Sequence, residues 1–148
     1  MITKLNNSDK EIAGQIYSIF QSSYKIEAKL IGTLKFPPLL REAQDIQTSE
    51  TDFYGYFVNM CLAGIVEITV DNKHLEIHSL TVEPNYFRKG IADKLMSYIT
   101  GGFEYTEAIV ETAVVNSPAI NLYKKHGFVE FKRWIASQGI EKLAMSSQ

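Results

Sequence analysis

Cysteine is almost missing from this chain. Cys61 stands alone among 148 residues, so no internal disulfide can form, which fits a reducing compartment. No apolar run approaches the roughly 20 residues of a membrane span. Met1 to Asn7 lacks the apolar core of a secretory signal. The expectation is a cytoplasmic protein with no membrane partner. Charge of one sign is scarce too. The formal net charge is -2 and no long basic run occurs, which argues against nucleic acid as a partner. Both common nucleotide signatures are missing, Gly-x-x-x-x-Gly-Lys-Ser/Thr and Gly-x-Gly-x-x-Gly. Repeats, low-complexity segments and linkers are absent, so residues 1–148 read as one domain.

What remains is an ordinary globular composition, 45% hydrophobic and 22% charged. Met1 to Leu5 alternates like a short strand. Ser8 and Glu11 have capping-box spacing, and Ile12, Ile16, Ile19 and Phe20 follow at helical spacing, which predicts a helix over 9–29. Pro37-Pro38 opens a shorter helix carrying Leu39, Leu40 and Ile46. Strands are expected over 53–59, 62–70 and 75–82, with turns at Met60-Cys61 and Asp71-Asn72. A helix over 90–99, a strand over 108–115, a helix over 117–126 stopped by Gly127, and two closing strands complete the chain. This order predicts an α+β fold, a mixed and mostly antiparallel sheet with helices on both faces.

The segment 75–82 changes phase. Leu75 and Ile77 are apolar at odd positions, Leu80 and Val82 at even ones. A strand has a side-chain period of two, so one extra residue near His78-Ser79, a β-bulge, would return all four to one face. The alternative is a central strand buried on both faces, where phase has no meaning. After this strand, Arg88-Lys89-Gly90-Ile91-Ala92 leads into a helix. A helix start exposes free N–H groups with a favourable dipole, and Gly90 permits close backbone approach, so an anion such as a pyrophosphate fits. The alternative is a plain turn with solvated basic residues.

The segment from Leu80 to Ala92 resembles the acetyl-CoA motif of the GNAT N-acetyltransferases. Asn116-Ser117-Pro118-Ala119-Ile120-Asn121-Leu122-Tyr123-Lys124-Lys125-His126-Gly127-Phe128 is similar to that family's Asn-x-x-Ala-x-x-Leu-Tyr-x-x-x-Gly-Phe block. The resemblance implies a sheet splayed between its fourth and fifth strands, with the cosubstrate acetyl-CoA in the cleft. It implies that Leu80 and Val82, with Thr81 between them, hold the pantetheine arm through backbone groups. The amides of Arg88, Lys89, Gly90, Ile91 and Ala92 would wrap the pyrophosphate, and Asn116 would contact the arm from the other side. The family pattern Gln/Arg-x-x-Gly-x-Gly/Ala begins here on Phe87, so one side-chain contact is missing and Arg88 stands next to the gap.

The activity implied is acetylation of a primary amine, on a small molecule or a protein. Such an amine has a pKa of roughly 10.4 and must lose a proton before it attacks. The leaving thiolate must gain one. Tyr123 is the candidate acid, the alternative being core packing on the face shared by Ala119, Leu122 and His126. Glu76 and His78 are the candidate bases, with Glu67 a third choice; each is alternatively a solvated or edge residue. A metal site at His74, Glu76 and His78 is rejected. His74 and His78 would lie about 13 Å apart along a strand, whereas zinc–nitrogen bonds are about 2 Å. His126 is expected to meet its own helix C-terminus. Tyr24, Phe36, Pro37, Pro38, Phe53 and Tyr54 are candidate walls for the acceptor. A non-catalytic acyl-CoA sensor on the same scaffold is the competing reading, and a homodimer is a further expectation.

Overall fold

Asp9 starts the first helix, one residue after the expected cap. In this computed structural model, which describes residues 1–148, the Asp9 carboxylate accepts from the amides of Glu11 (2.9 Å) and Ile12 (3.4 Å). Ser8 instead turns its hydroxyl back to Asn6 (2.6 Å). Helix α1 runs Lys10–Ile31 and ends at Gly32, whose left-handed φ of 90° lets its N–H reach Ala28 O. The segment expected as one short helix is two pieces. Pro37–Leu40 is a 3-10 turn and α2 is Ala43–Gln47. Arg41 between them is extended (φ -71°, ψ 127°) and sends its guanidinium into the sheet.

The strands are β1 Ile2–Leu5, β2 Asp52–Val58, β3 Cys61–Asp71, β4 His74–Val82, β5 Glu107–Ala113, β6 Val129–Ile135 and β7 Glu141–Ser147. They form one sheet in the order β1-β2-β3-β4-β5-β7-β6. Helix α3, Ile91–Gly102, joins β4 to β5, and α4, Ser117–Lys125, joins β5 to β6. The two hairpin turns sit one residue from the positions read off the sequence. Asn59-Met60 and Asn72-Lys73 both have positive φ at their two central residues. A two-residue turn of this hand favours asparagine, and each turn takes its asparagine into that place.

Each sheet face carries its own core. Leu75, Ile77, Ile91, Leu95, Met96, Ile99, Phe128 and Leu143 belong to the cluster under α3 and α4. Ile16, Phe20, Ile46, Phe53 and Ile65 form the one under α1 and α2. The phase change in β4 is a bulge. Ser79 pairs with Glu67 and Ile77 with the adjacent Ile68, which leaves His78 as the extra residue. Leu80 and Val82 accordingly pack against the same cluster as Leu75 and Ile77.

β4 and β5 are the parallel pair, and their pairing runs only from His74–Glu107 to Ile77–Val110. Beyond Ile77 they part, and the sheet is splayed there.

Glu67 is the one acidic residue among the buried polar groups. It meets Arg41 in a double hydrogen bond (2.8 and 2.9 Å) and also accepts from Thr51 (2.6 Å) and Ser79 (3.0 Å). Burial alone would raise its pKa, but these hydrogen bonds outweigh burial and hold the carboxyl below the usual glutamate range. Its stabilisation is therefore complete above the unfolded pKa of about 4.3 and is lost as pH falls through the lower folded value. Arg41→Met should lower the unfolding free energy at pH 7 by about 3 kcal/mol, because a buried carboxylate loses its cation. Urea melts should show that deficit narrowing toward pH 4, where the orphaned carboxyl can take a proton. Equal deficits at both pH values would mean that the pair matters by packing alone.

Candidate active site

The splay frees backbone groups on β4. Glu83 N–H donates to Ala63 O (2.8 Å), which makes Gly64–Val82 a pair that exchanges no hydrogen bonds of its own. By alternation, the N–H and C=O groups of Leu80 and Val82 point away from β3, on the side where β5 has departed. Thr81 is turned the other way. The residue is 3% exposed and its hydroxyl oxygen is buried without a partner.

Downstream, the Glu83 carboxylate accepts from the Asn85 amide (2.9 Å) and holds a 3-10 turn over Pro84–Tyr86. Arg88 (φ 63°) and Gly90 (φ 75°) are both left-handed, so the chain doubles back just before α3. Gly90 caps α3 without a side chain, and the first bond inside the helix runs from Lys94 N to Gly90 O (3.0 Å). The amides of Ile91, Ala92 and Asp93 are thus free for an anion. Asp93 would repel one, but Lys125 (3.0 Å) and His126 (2.8 Å) both hold its carboxylate. The His126 ring therefore reaches across to α3. Only its backbone N–H serves the end of its own helix, at Tyr123 O (3.1 Å).

Two clefts open from this splay. One, of about 520 Å³, is walled by Leu80, Val82, Arg88, Gly90, Ile91 and Ala92, with Phe87 also on its surface. Thr81 and Lys89 do not line it. The other, of about 740 Å³, is walled by Tyr24, Phe36, Pro37 and Pro38 on one side and by Val110 to Ala113 on the other. Of the expected wall residues, Phe53 and Tyr54 are elsewhere: Phe53 is fully buried under α1, and Tyr54 packs on Tyr98 and Phe103. The clefts share five residues, Glu27, Leu80, Asn116, Ala119 and Tyr123. These define a neck at which the two spaces meet.

Tyr123 is 5% exposed, and burial, then the nearby Glu27, push its phenol well above its ordinary pKa. Asn116 caps α4 through its side-chain oxygen, which accepts from Ala119 N (3.3 Å). His78 lines the wider cleft, but its Nε2 meets Thr69 Oγ1 (2.9 Å) and its Nδ1 faces Glu76 (3.6 Å). Glu76 lines neither cleft. His74 is engaged with Glu107 (3.3 Å). Glu67 is saturated by the partners described above.

Glu27 was missed in the sequence. Burial raises its carboxyl above the usual glutamate range, against the opposing influence of Asn116 and Lys142. The clue was available: Ile16, Phe20, Tyr24, Glu27 and Ile31 continue the inward stripe of α1 at spacings of three and four, and an acid on such a stripe is unusual.

The acetyltransferase (GNAT) family model matches residues 14–128. UPF0157 protein YqkA of Bacillus subtilis (strain 168) is 35% identical over 141 residues, 95% of this chain and 41% of that protein. The chain thus spans less than half the length of this curated relative. Among solved structures, the PaiA N-acetyltransferase of Thermoplasma acidophilum in complex with coenzyme A superposes with a TM-score of 0.76 at 19% identity, over 100% of this chain and 98% of the other. The ribosomal-protein-alanine N-acetyltransferase of Brucella melitensis gives 0.77 at 14%, over 99% and 98%. A spermidine N-acetyltransferase chimera from Vibrio cholerae and hSSAT gives 0.71 at 16%, over 99% and 93%. At these identities the likeness is one of fold.

Proposed function

This chain belongs to the GNAT acetyltransferase family, and from that premise we propose that residues 1–148 form a domain that transfers the acetyl group of acetyl-CoA to a primary amine. The observation that carries the reading is the neck where two clefts meet. A transferase must bring two substrates to one point, and a binding module needs only one cleft. The narrower cleft suits CoA. Free amides at the start of α3 match a pyrophosphate, and the unpaired backbone of Leu80 and Val82 matches the amides of a pantetheine arm. The wider cleft suits the acceptor, with Tyr24, Phe36, Pro37 and Pro38 against its apolar part. Neighbours of the same fold are named for ribosomal-protein alanine and for spermidine, both amines, which supports an amine here.

The thioester supplies an activated acetyl group. The chain's own part is threefold. Backbone N–H groups of β4 in the splay stand ready to donate to the oxyanion that forms on attack. Tyr123 at the neck gives a proton to the departing thiolate. A carboxylate or imidazole takes the proton of the incoming ammonium. A sensor without turnover is the second reading, favoured by Phe87, an apolar side chain on the cofactor cleft where the family pattern has a polar one.

Isothermal titration separates these readings. Acetyl-CoA and CoA are expected to bind saturably and ATP to fail. Thiol release on adding a primary amine is expected from the transferase. Binding without thiol release across a broad amine set would favour the sensor. No binding of acetyl-CoA at millimolar concentration would remove both readings.

A further inference from the structure

Four ionisable groups near the acceptor cleft already have occupations. His78 Nε2 is bonded to Thr69 Oγ1 (2.9 Å), and its Nδ1 lies 3.6 Å from Glu76. Glu67 is held by Arg41, Thr51 and Ser79. Glu111 pairs with Lys142 (3.4 Å). Arg41 is committed to Glu67 and lies over the Phe20 and Phe53 rings. Glu27 is different. It comes from α1, it lines both clefts, and it forms no ion pair. The groups that share the wider cleft with it are Tyr123 from α4, Asn116 at the cap of α4 and Lys142 from β7, with Tyr24 one turn earlier on its own helix. Asn116 spends its side-chain oxygen on the Ala119 amide, so its NH2 is the end left for the Glu27 carboxylate. That carboxylate therefore has the neutral Asn116 beside it and no cation bound to it at the neck.

We infer that Glu27 is the group that receives the acceptor's ammonium and takes its proton, with Tyr123 as the opposed acid. The inference rests on the transferase reading above. An unpaired carboxylate in a half-buried neck attracts a primary ammonium more strongly than one in water, because the local dielectric is low. Burial that lifts the carboxyl toward neutrality also improves it as a base near pH 7. The protons balance as follows. The ammonium gives one proton to Glu27, which passes it to water. The neutral nitrogen attacks the carbonyl carbon, the C–N bond forms, and the carbonyl electron pair moves to oxygen. On collapse the C–S bond breaks and Tyr123 protonates the sulfur. The second nitrogen proton then restores the Tyr123 hydroxyl. One proton is released per acetyl group transferred.

The test compares Glu27→Gln and Glu27→Asp with the wild type on two acceptors, n-butylamine, which is cationic at pH 7, and hydroxylamine, which is already neutral there. Glu27→Gln should lower kcat/KM for butylamine by about 10²-fold, and the loss should shrink to a few-fold for hydroxylamine. Glu27→Asp, which keeps a carboxylate, should recover part of the butylamine rate. Calorimetry on the CoA-saturated protein should find butylamine binding weakened at least about tenfold by Glu27→Gln, the loss of one charged contact. Equal losses on both acceptors, or unchanged butylamine affinity and rate, would overturn the role of Glu27. A wild type that binds acetyl-CoA yet releases no thiol with these or any of a broad set of primary amines would instead sink the transferase reading on which the role depends.

Discussion

Gly90→Asp should weaken acetyl-CoA binding about 100-fold while leaving the protein folded. Gly90 has φ 75°, and a Cβ at this position would meet no atom within 4 Å. Aspartate is among the residues that tolerate the left-handed region, so the turn before α3 survives. Aspartate is also a good N-cap, and its carboxylate would accept from the very amides that have no side-chain partner in the wild type. The phosphates would then lose those donors and face a like charge. Like-charge contact costs several kcal/mol, and about 3 kcal/mol is a 100-fold change in affinity. Gly90→Ala isolates the backbone effect. It adds only the left-handed cost of about 1–2 kcal/mol, which acts on free and bound protein alike, so its affinity should change by a few-fold. Titration of acetyl-CoA into both variants reads the difference. If Gly90→Asp binds as the wild type does, the pyrophosphate lies elsewhere.

Tyr123→Phe should lower kcat by about 10²- to 10³-fold with little change in acetyl-CoA affinity. The ring stays useful in either form, since it packs on Phe128 with centroids 6.0 Å apart. Stability should therefore hold within about 1 kcal/mol. An acid works only while protonated. Burial and Glu27 both push the Tyr123 hydroxyl above the ordinary tyrosine value of about 10. The hydroxyl keeps its proton throughout a normal assay range, so the deficit of Tyr123→Phe should be the same at pH 6 and pH 9. A wild-type rate in the variant would reduce Tyr123 to a packing residue. A deficit confined to high pH would assign the titrating role to another group.

The element order, the bulge and the turn before α3 were legible in the sequence because they depend on local rules. The break of phase between Ile77 and Leu80 announced the bulge at His78, since a period of two cannot be evaded within one strand. The turn at Arg88 to Gly90 was legible because a glycine before an amphipathic helix marks a free helix start. Small local choices went astray for equally local reasons. Asp9 outcompeted Ser8 as cap, and each asparagine drew its hairpin turn into place. The walls of the wider cleft were less legible. Phe53 and Tyr54 are aromatic neighbours on one strand, and alternation buries them on opposite faces, both away from the cleft.

The sequence by itself determined the fold class and the position of the turn before α3, because hydrophobic period, caps and glycines act within a few residues. Tertiary structure decided which charged groups are free to act. Glu67 and Arg41 are 26 residues apart and cancel each other. Asp93 is neutralised from α4, 33 residues away in the case of His126. Glu27 reaches the neck because α1 lies over β3 and β4. Pairing of charges depends on elements distant in the chain, and no local pattern encodes it.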